Sequence, residues 1–157
     1  GSLEGISIAS LEEALKINAL SPLSLITAFV RQRREGSVVN ILDARMTDYD
    51  RMHPGYEASK HLLFSFTRMA ALEWAPLIRV NAVAPGFIRF DESHPEGVPS
   101  SGRDSEALSA AAAPLKRTTS AAEVAEASIF LLRSVSITGQ VLFVDGGRHL
   151  KGRVFSI

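Results

Sequence analysis

The chain has 157 residues, 46% of them hydrophobic, and its 17 basic and 17 acidic side chains cancel to a formal net charge of zero. That length suffices for one domain with a real core, and the balanced charge gives no basic field of the kind that binds nucleic acid. The absence of cysteine excludes a disulfide framework and thiolate chemistry, and the apolar stretch from Leu20 to Val30 is too short and too broken by Ser21, Pro22, Ser24 and Thr27 to read as a membrane span.

These properties lead us to expect a cytoplasmic protein. In chain order, Ser10-Leu11-Glu12-Glu13 has the form of a capping box and predicts a helix starting near Leu11. Apolar spacing carries it through Ala14, Leu15, Ile17, Leu20, Leu25, Ile26, Phe29 and Val30, with a bend expected at Pro22. Asn18 lies just before that bend, where the residues alone read it as a solvated polar group. Residues 37–43 form a β-branched apolar run that ends in Asp43, a predicted strand. The polar loop from Ala44 to Pro54 contains His53 and Tyr49, a ring suited to stacking on a flat ligand or simply exposed.

Gly55-Tyr56-Glu57-Ala58-Ser59-Lys60 then opens a helix with a phenol and an ammonium four positions apart. That spacing puts Tyr56 and Lys60 on one face. A cation so placed favours the phenolate and would bring a hydroxyl of ordinary pKa near ~10 toward useful proton transfer. The same spacing also suits an ordinary solvated face. From Glu57 to about Trp74, the positions Ala58, Leu62, Leu63, Phe66, Met69, Ala70 and Leu72 predict a helix covered on more than one side. Ile78 to Val83 reads as a buried strand that breaks at Pro85-Gly86. Strand, loop, helix and strand predict a right-handed βαβ unit with polar groups gathered at the strands' carboxyl ends. A long loop to about Arg103 follows, read as a lid. Asp104 to Ala113 is a predicted short helix, and Ser120-Ala121-Ala122-Glu123 a second capping box starting a helix through Leu132. A last strand over Gln140 to Val144 runs into the turn Asp145-Gly146-Gly147.

Three stretches in this order, Tyr56 to Lys60, Arg79 to Gly86 and Thr138 to Gly147, resemble the second half of the short-chain dehydrogenase/reductase family over nearly the whole chain. The resemblance implies an α/β fold, a Rossmann-like doubly wound parallel sheet with only its second half present. Residues 1–157 are then a single partial domain, the catalytic half, without the N-terminal dinucleotide-binding half. The stretch Gly1-Ser2-Leu3-Glu4-Gly5-Ile6-Ser7 spaces two glycines suitably, but no strand precedes it and Ser7 stands where a third glycine belongs. We reject it as a phosphate site. The resemblance further implies NADPH or NADH as cofactor, Tyr56 as proton donor, Lys60 on the nicotinamide ribose, and Asn18 holding a relay water. Pro85 and Gly86 would approach the cofactor by their backbone, and the long helices would build a homo-oligomer, a dimer or tetramer.

Thirteen positions before the tyrosine, where most of that family places a serine, stands Asp43. An ionised carboxylate cannot donate a hydrogen bond to a substrate carbonyl. It suits a nitrogen-rich substrate offering N–H groups, or proton delivery to Tyr56, and a plain loop cap remains open. Together with Asp145-Gly146-Gly147-Arg148-His149-Leu150 and with Ile88-Arg89-Phe90-Asp91-Glu92, this makes the chain similar to the pteridine and dihydromonapterin reductases. That branch implies NADPH-dependent reduction of a dihydropterin, with Asp43, Tyr49 and Phe87 as the candidate substrate contacts and no metal. Two alternatives stay open: a general carbonyl reductase of the same family, and a non-catalytic interaction module or inactive fragment.

Overall fold

The structure, a computed structural model, describes residues 3–48, 52–88 and 107–151. A three-stranded parallel sheet in the order β1-β2-β3 organises them, with β1 at Gly36–Ile41, β2 at Ile78–Pro85 and β3 at Val141–Val144. Helix α3 (Pro54–Glu73) connects β1 to β2; α4 (residues 107–112) and α5 (Ala121–Arg133) connect β2 to β3. The βαβ arrangement read from the sequence is therefore present. Register runs from Gly36 opposite Ile78 to Ile41 opposite Val83, and from Ala82 opposite Val141 to Pro85 opposite Val144.

Strand β2 carries the core because both of its edges are paired and nearly every side chain on it is buried. Such a strand needs apolar residues on both faces, which Ile78, Val80, Ala82, Val83 and Ala84 supply. Its one fully buried polar side chain, Asn81, donates from Nδ2 to the Ile137 carbonyl at 2.9 Å and accepts from the Gln140 N–H at 3.0 Å. Those two bonds set the start of β3. A second buried polar pair locks α3 to β1: Asn40 Nδ2 donates to Thr67 Oγ1 at 2.9 Å, and Thr67 donates to the Leu63 carbonyl at 2.8 Å.

Several element boundaries differ from expectation. The first helix, α1 (Ile8–Leu15), begins one turn earlier, because Ser7 rather than Ser10 is its cap: the Ser7 Oγ accepts from the Ser10 N–H at 3.1 Å. Pro22 does not break the helix. A π turn at Lys16–Leu20 takes up the irregularity, and α2 (Ser21–Val30) starts with Pro22 in its first turn, where a missing N–H costs little. The 23 residues Ile8–Val30 thus form one helical run whose length and hydropathy would allow a membrane crossing. Exposed Glu12, Glu13 and Lys16 interrupt it, and Asn18 bonds to Ser59 of α3, so the run is held against α3. Strand β1 stops at Ile41, two residues before Asp43, although the Leu42 N–H still donates to Val83 at 2.8 Å.

Helix α3 begins at Pro54, whose fixed φ suits a first helical position. Leu63, Thr67, Ala70 and Ala71 turn inward, whereas Ala58, Met69 and Leu72 are exposed. Helix α3 is thus covered on two sides, by the sheet and by α1 with the π turn, while Met69 and Leu72 are left exposed. The long loop after Ile88 and the start of the predicted Asp104 helix lie outside the described residues.

The second capping box forms as read. Ser120 Oγ accepts from the Glu123 N–H and the Glu123 carboxylate accepts from the Ser120 N–H. Ser120→Ala removes one half of it and is expected to lower stability by about 1 kcal/mol, read by urea unfolding of the intact gene product. Ser120→Asp, which restores an acceptor, should recover most of that loss.

Candidate active site

The carboxyl ends of the parallel strands gather the chemistry. After β1 the chain enters a 3-10 turn at Ala44–Thr47, capped by Asp43, whose Oδ1 accepts from the Arg45 N–H at 2.8 Å. The other oxygen, Oδ2, accepts from the Tyr56 hydroxyl at 2.9 Å. The loop-cap reading of Asp43 is thus realised on one oxygen, and the other oxygen is bonded to the Tyr56 hydroxyl. One turn along α3, Lys60 Nζ donates to the Ile41 carbonyl at 2.9 Å and lies 5.5 Å from the centroid of the Tyr56 ring. Asp43, Tyr56 and Lys60 therefore meet as the sequence suggests.

Their electrostatics depart from expectation. The Tyr56 hydroxyl is raised well above the ordinary phenol range, first by burial, then by the charge of Asp43 and by its hydrogen bond to that carboxylate. Arg45 pulls the other way. Lys60 is not what lowers it: burial depresses the Lys60 ammonium itself, and Asp43 only partly restores it. The reason is geometric, since the Tyr56 proton points to a carboxylate and the Lys60 ammonium to a backbone carbonyl. A phenol so placed keeps its proton at neutral pH and gives it up less readily than a free one unless a cation offsets the charge left behind.

Asn18 sits in the π turn, and its Nδ2 donates to Ser59 Oγ at 3.1 Å; Ser59 in turn donates to the Tyr56 carbonyl at 2.6 Å. A π turn leaves backbone groups out of regular pairing, a feature frequent at functional sites. Neither Ser59 nor Arg45 stands out in the sequence. Arg45 had one legible signal, its place two residues after an aspartate that caps a turn.

At the end of β2, Pro85 is buried opposite Val144, and the Gly86 N–H donates to the Val144 carbonyl at 2.9 Å. A Cβ on Gly86 would lie 2.9 Å from the Cα of Asp145, so only glycine fits there. Phe87 follows, with its carbonyl accepting from the Thr119 N–H at 3.0 Å. Tyr49 and Phe90 lie outside the described residues. Past β3, Asp145 is buried and ties down its own turn. Its carboxylate accepts from the Gly147 and His149 N–H groups, and His149 Nδ1 lies 3.0 Å away while its ring stacks on Phe143. Gly146 and Gly147 adopt φ of 63° and 82°, which side chains with a Cβ rarely tolerate.

The donor set fits the nicotinamide end of a dinucleotide: a hydroxyl and an ammonium on one helix face, and a bare glycine backbone at a strand's end. The pyrophosphate end needs a glycine-rich turn after a strand. No strand precedes β1 among the described residues, where α1 instead starts from the Ser7 cap. A cavity of about 780 Å³ beside α1 and α2 is lined by Glu12, Lys16, Leu20 and Leu25, and includes none of the groups above.

Comparison with known proteins agrees with this geometry. Residues 1–149 match the family described as enoyl-(acyl carrier protein) reductase. Bovine 3-oxoacyl-[acyl-carrier-protein] reductase is 37% identical over 91% of this chain and 57% of its own length. Pteridine reductase 1 of Leishmania tarentolae is 34% identical over 96% of this chain and 54% of its own. Among solved structures, FolM alternative dihydrofolate reductase 1 from Brucella canis, complexed with NADP, superposes with a TM-score of 0.78 and 28% identity over 96% of this chain and 58% of that one. The chain spans about half the length of the curated relatives it matches.

Two outcomes follow from the geometry. Gly86→Ala should cost about 1–3 kcal/mol, because the methyl meets backbone rather than a movable side chain, and should show as a lowered urea midpoint. Tyr56 carries a second effect, on alkaline stability. Below its unfolded pKa of 10.0 both folded and unfolded states hold the proton, so the group adds no pH dependence. Above pH 10 the unfolded state ionises first, and folding stability falls as pH rises. For a half-buried phenol screened by solvent the slope is well under ~1.4 kcal/mol per pH unit. Tyr56→Phe should flatten the loss of stability between pH 10 and 11.

Proposed function

Because the chain belongs to the short-chain dehydrogenase/reductase family, we propose that it carries the catalytic half of an NADPH-dependent oxidoreductase that reduces a dihydropterin to a tetrahydropterin. The observation that carries the reading is the Tyr56 hydroxyl donating to Asp43 at 2.9 Å with Lys60 one turn further along α3. When bound, the nicotinamide cofactor supplies a hydride, and its electron pair goes to the carbon of the substrate's C=N bond. Tyr56 donates the proton to the nitrogen, which suits a hydroxyl held protonated at neutral pH. Lys60 offers its ammonium to the ribose hydroxyls. Asn18 steadies the helix turn that carries Tyr56 and holds the relay water.

Asp43 gives the reading its substrate class. Each carboxylate oxygen can accept two hydrogen bonds, so with one taken by Arg45 and one by Tyr56 the group still has room for substrate N–H donors. A pterin ring presents such donors. Phe87, Tyr49 and the segment after Ile88 would line the rest of its site, with Pro85 and Gly86 against the nicotinamide. The NADP in the Brucella canis protein and the name of the Leishmania relative support the choice of NADPH and pterin. Exposed Ile17, Leu20, Leu25, Met69 and Leu72 support assembly as a homo-oligomer through α1–α3.

A general carbonyl reductase is the second reading, favoured by the bovine relative, whose name specifies a 3-oxoacyl substrate. An interaction module is less favoured, because a scaffold has no use for a phenol, a carboxylate and an ammonium drawn together. The test is an NADPH-consumption assay on the intact gene product with 7,8-dihydrobiopterin and with a simple β-keto ester. Tyr56→Phe should lower kcat on the pterin by about 10²-fold or more. Asp43→Ala should abolish pterin reduction. A rise in keto-ester reduction in Asp43→Ser, with no pterin activity in the parent, would favour the carbonyl reading. Failure of the intact protein to bind any dinucleotide would leave the interaction module.

A further inference from the structure

Arg45 touches both members of the acid pair. Its backbone N–H donates to Asp43 Oδ1 at 2.8 Å, its guanidinium Nε lies 3.5 Å from that same oxygen, and its Cζ lies 5.6 Å from the centroid of the Tyr56 ring. The two oxygens of Asp43 are thereby divided, Oδ1 to Arg45 and Oδ2 to Tyr56. Any residue at this position could supply the backbone N–H. The guanidinium is a separate contribution, partly buried, with 39% of the side chain exposed.

Resting on the reductase reading above, we infer that Arg45 is a positioning residue for proton transfer: its guanidinium holds the Asp43 carboxylate with Oδ2 turned to Tyr56, and offsets the negative charge that Tyr56 acquires as it gives up its proton. In that step the Tyr56 O–H bond breaks as an N–H bond forms on the substrate. The electron pair of the broken bond stays on the phenolate oxygen. That oxygen then sits 2.9 Å from the Asp43 carboxylate, and two like charges so close oppose the transfer unless a cation compensates. Lys60 is held by the Ile41 carbonyl and is the candidate ribose ligand, which leaves Arg45 for this task.

Among the described residues, the charged groups around the phenol are Asp43, Arg45, Glu57 and Lys60. The π turn presents Asn18 to Ser59, and β1 presents Asn40 to Thr67, both uncharged. Of the charges acting on the Tyr56 hydroxyl, Asp43 and Glu57 raise it and Arg45 lowers it. Burial works against the Arg45 charge, but the attraction of Asp43, its hydrogen bond, and the charges of Glu57 and Tyr56 together hold the guanidinium above its ordinary value. An arginine suits such a place better than a lysine, since its planar group can lie over a ring while pairing with a carboxylate.

The test uses the intact gene product with Arg45→Ala, Arg45→Gln and Arg45→Lys, and with Tyr56→Phe as reference. Arg45→Ala and Arg45→Gln should lower kcat for 7,8-dihydrobiopterin by about 10-fold, with KM for NADPH unchanged and a larger solvent deuterium isotope effect, and Arg45→Lys should recover most of the rate. A readout free of turnover accompanies it: the ¹³Cζ resonance of Tyr56 at pH 7, identified by its loss in Tyr56→Phe. The hydrogen bond to Asp43 helps set that resonance, which should shift in Arg45→Ala and Arg45→Gln and stay near the parent's position in Arg45→Lys. Using two neutral substitutions guards against one of them failing to fold. An unmoved resonance together with an unchanged rate in a folded variant would overturn the role of Arg45, even if Tyr56→Phe is inactive and the reductase reading stands. If Tyr56→Phe is as active as the parent, the reductase reading falls, and the resonance still decides whether Arg45 governs the pair.

Discussion

The two-sided pairing of β2 is the constraint on which the rest depends. A strand flanked by parallel neighbours on both edges cannot slip without breaking two ladders, and a one-residue slip would exchange its two buried faces and carry Asn81 away from its partners at Ile137 and Gln140. With register fixed, the ends of the three strands coincide. Ile41 stands opposite Val83 and Pro85 opposite Val144, so Asp43, Gly86 and Asp145 leave the sheet at one edge. The site is a product of strand register before it is a product of any single side chain. Asn81 reinforces this from within the strand, since its amide fixes the backbone on both sides of the turn into β3.

The acid is built from opposed influences on one hydroxyl. Burial and the Asp43 carboxylate hold the proton on Tyr56, while the Arg45 guanidinium relieves part of that hold. Lys60 lies 5.5 Å from the ring centroid and aims one of its N–H groups at the Ile41 carbonyl rather than at the hydroxyl. A serine at position 43 would supply no negative charge, and the phenol would then lose its proton more easily. The aspartate thus holds the proton on Tyr56 until a cation offsets the charge that its loss leaves behind.

The helices were legible wherever side chains formed local patterns. Ser120 and Glu123 announced their capping box because both partners lie within one turn. Tyr56 and Lys60 announced a shared face for the same reason. The same logic misplaced the start of α1: Ser10 and Glu13 have the right spacing, but Ser7 lies one turn earlier and captures the Ser10 N–H first. Pro22 misled in another way, since a proline in an apolar helical run reads as a bend, whereas the chain widens to a π turn before it. Residue patterns alone read Leu72 and Met69 as covered; the fold of this chain leaves them exposed.

What the sequence determined by itself was the α/β alternation, the order of strand, Tyr-x-x-x-Lys helix and strand, and the presence of a carboxylate where a serine is more usual. These are local or short-range properties, set by periodicity, by turn chemistry and by residue type. What only the tertiary structure decided was how Asp43 divides its two oxygens, that Arg45 stands over the Tyr56 ring, that Ser59 links Asn18 to the backbone of Tyr56, and that Gly86 must lack a side chain. Each of these joins residues from different elements, from 11 positions apart for Arg45 and Tyr56 to 59 for Gly86 and Asp145. No sequence window contains the distance between them, because that distance exists only once parallel register and helix packing have brought the strand ends and the α3 face together.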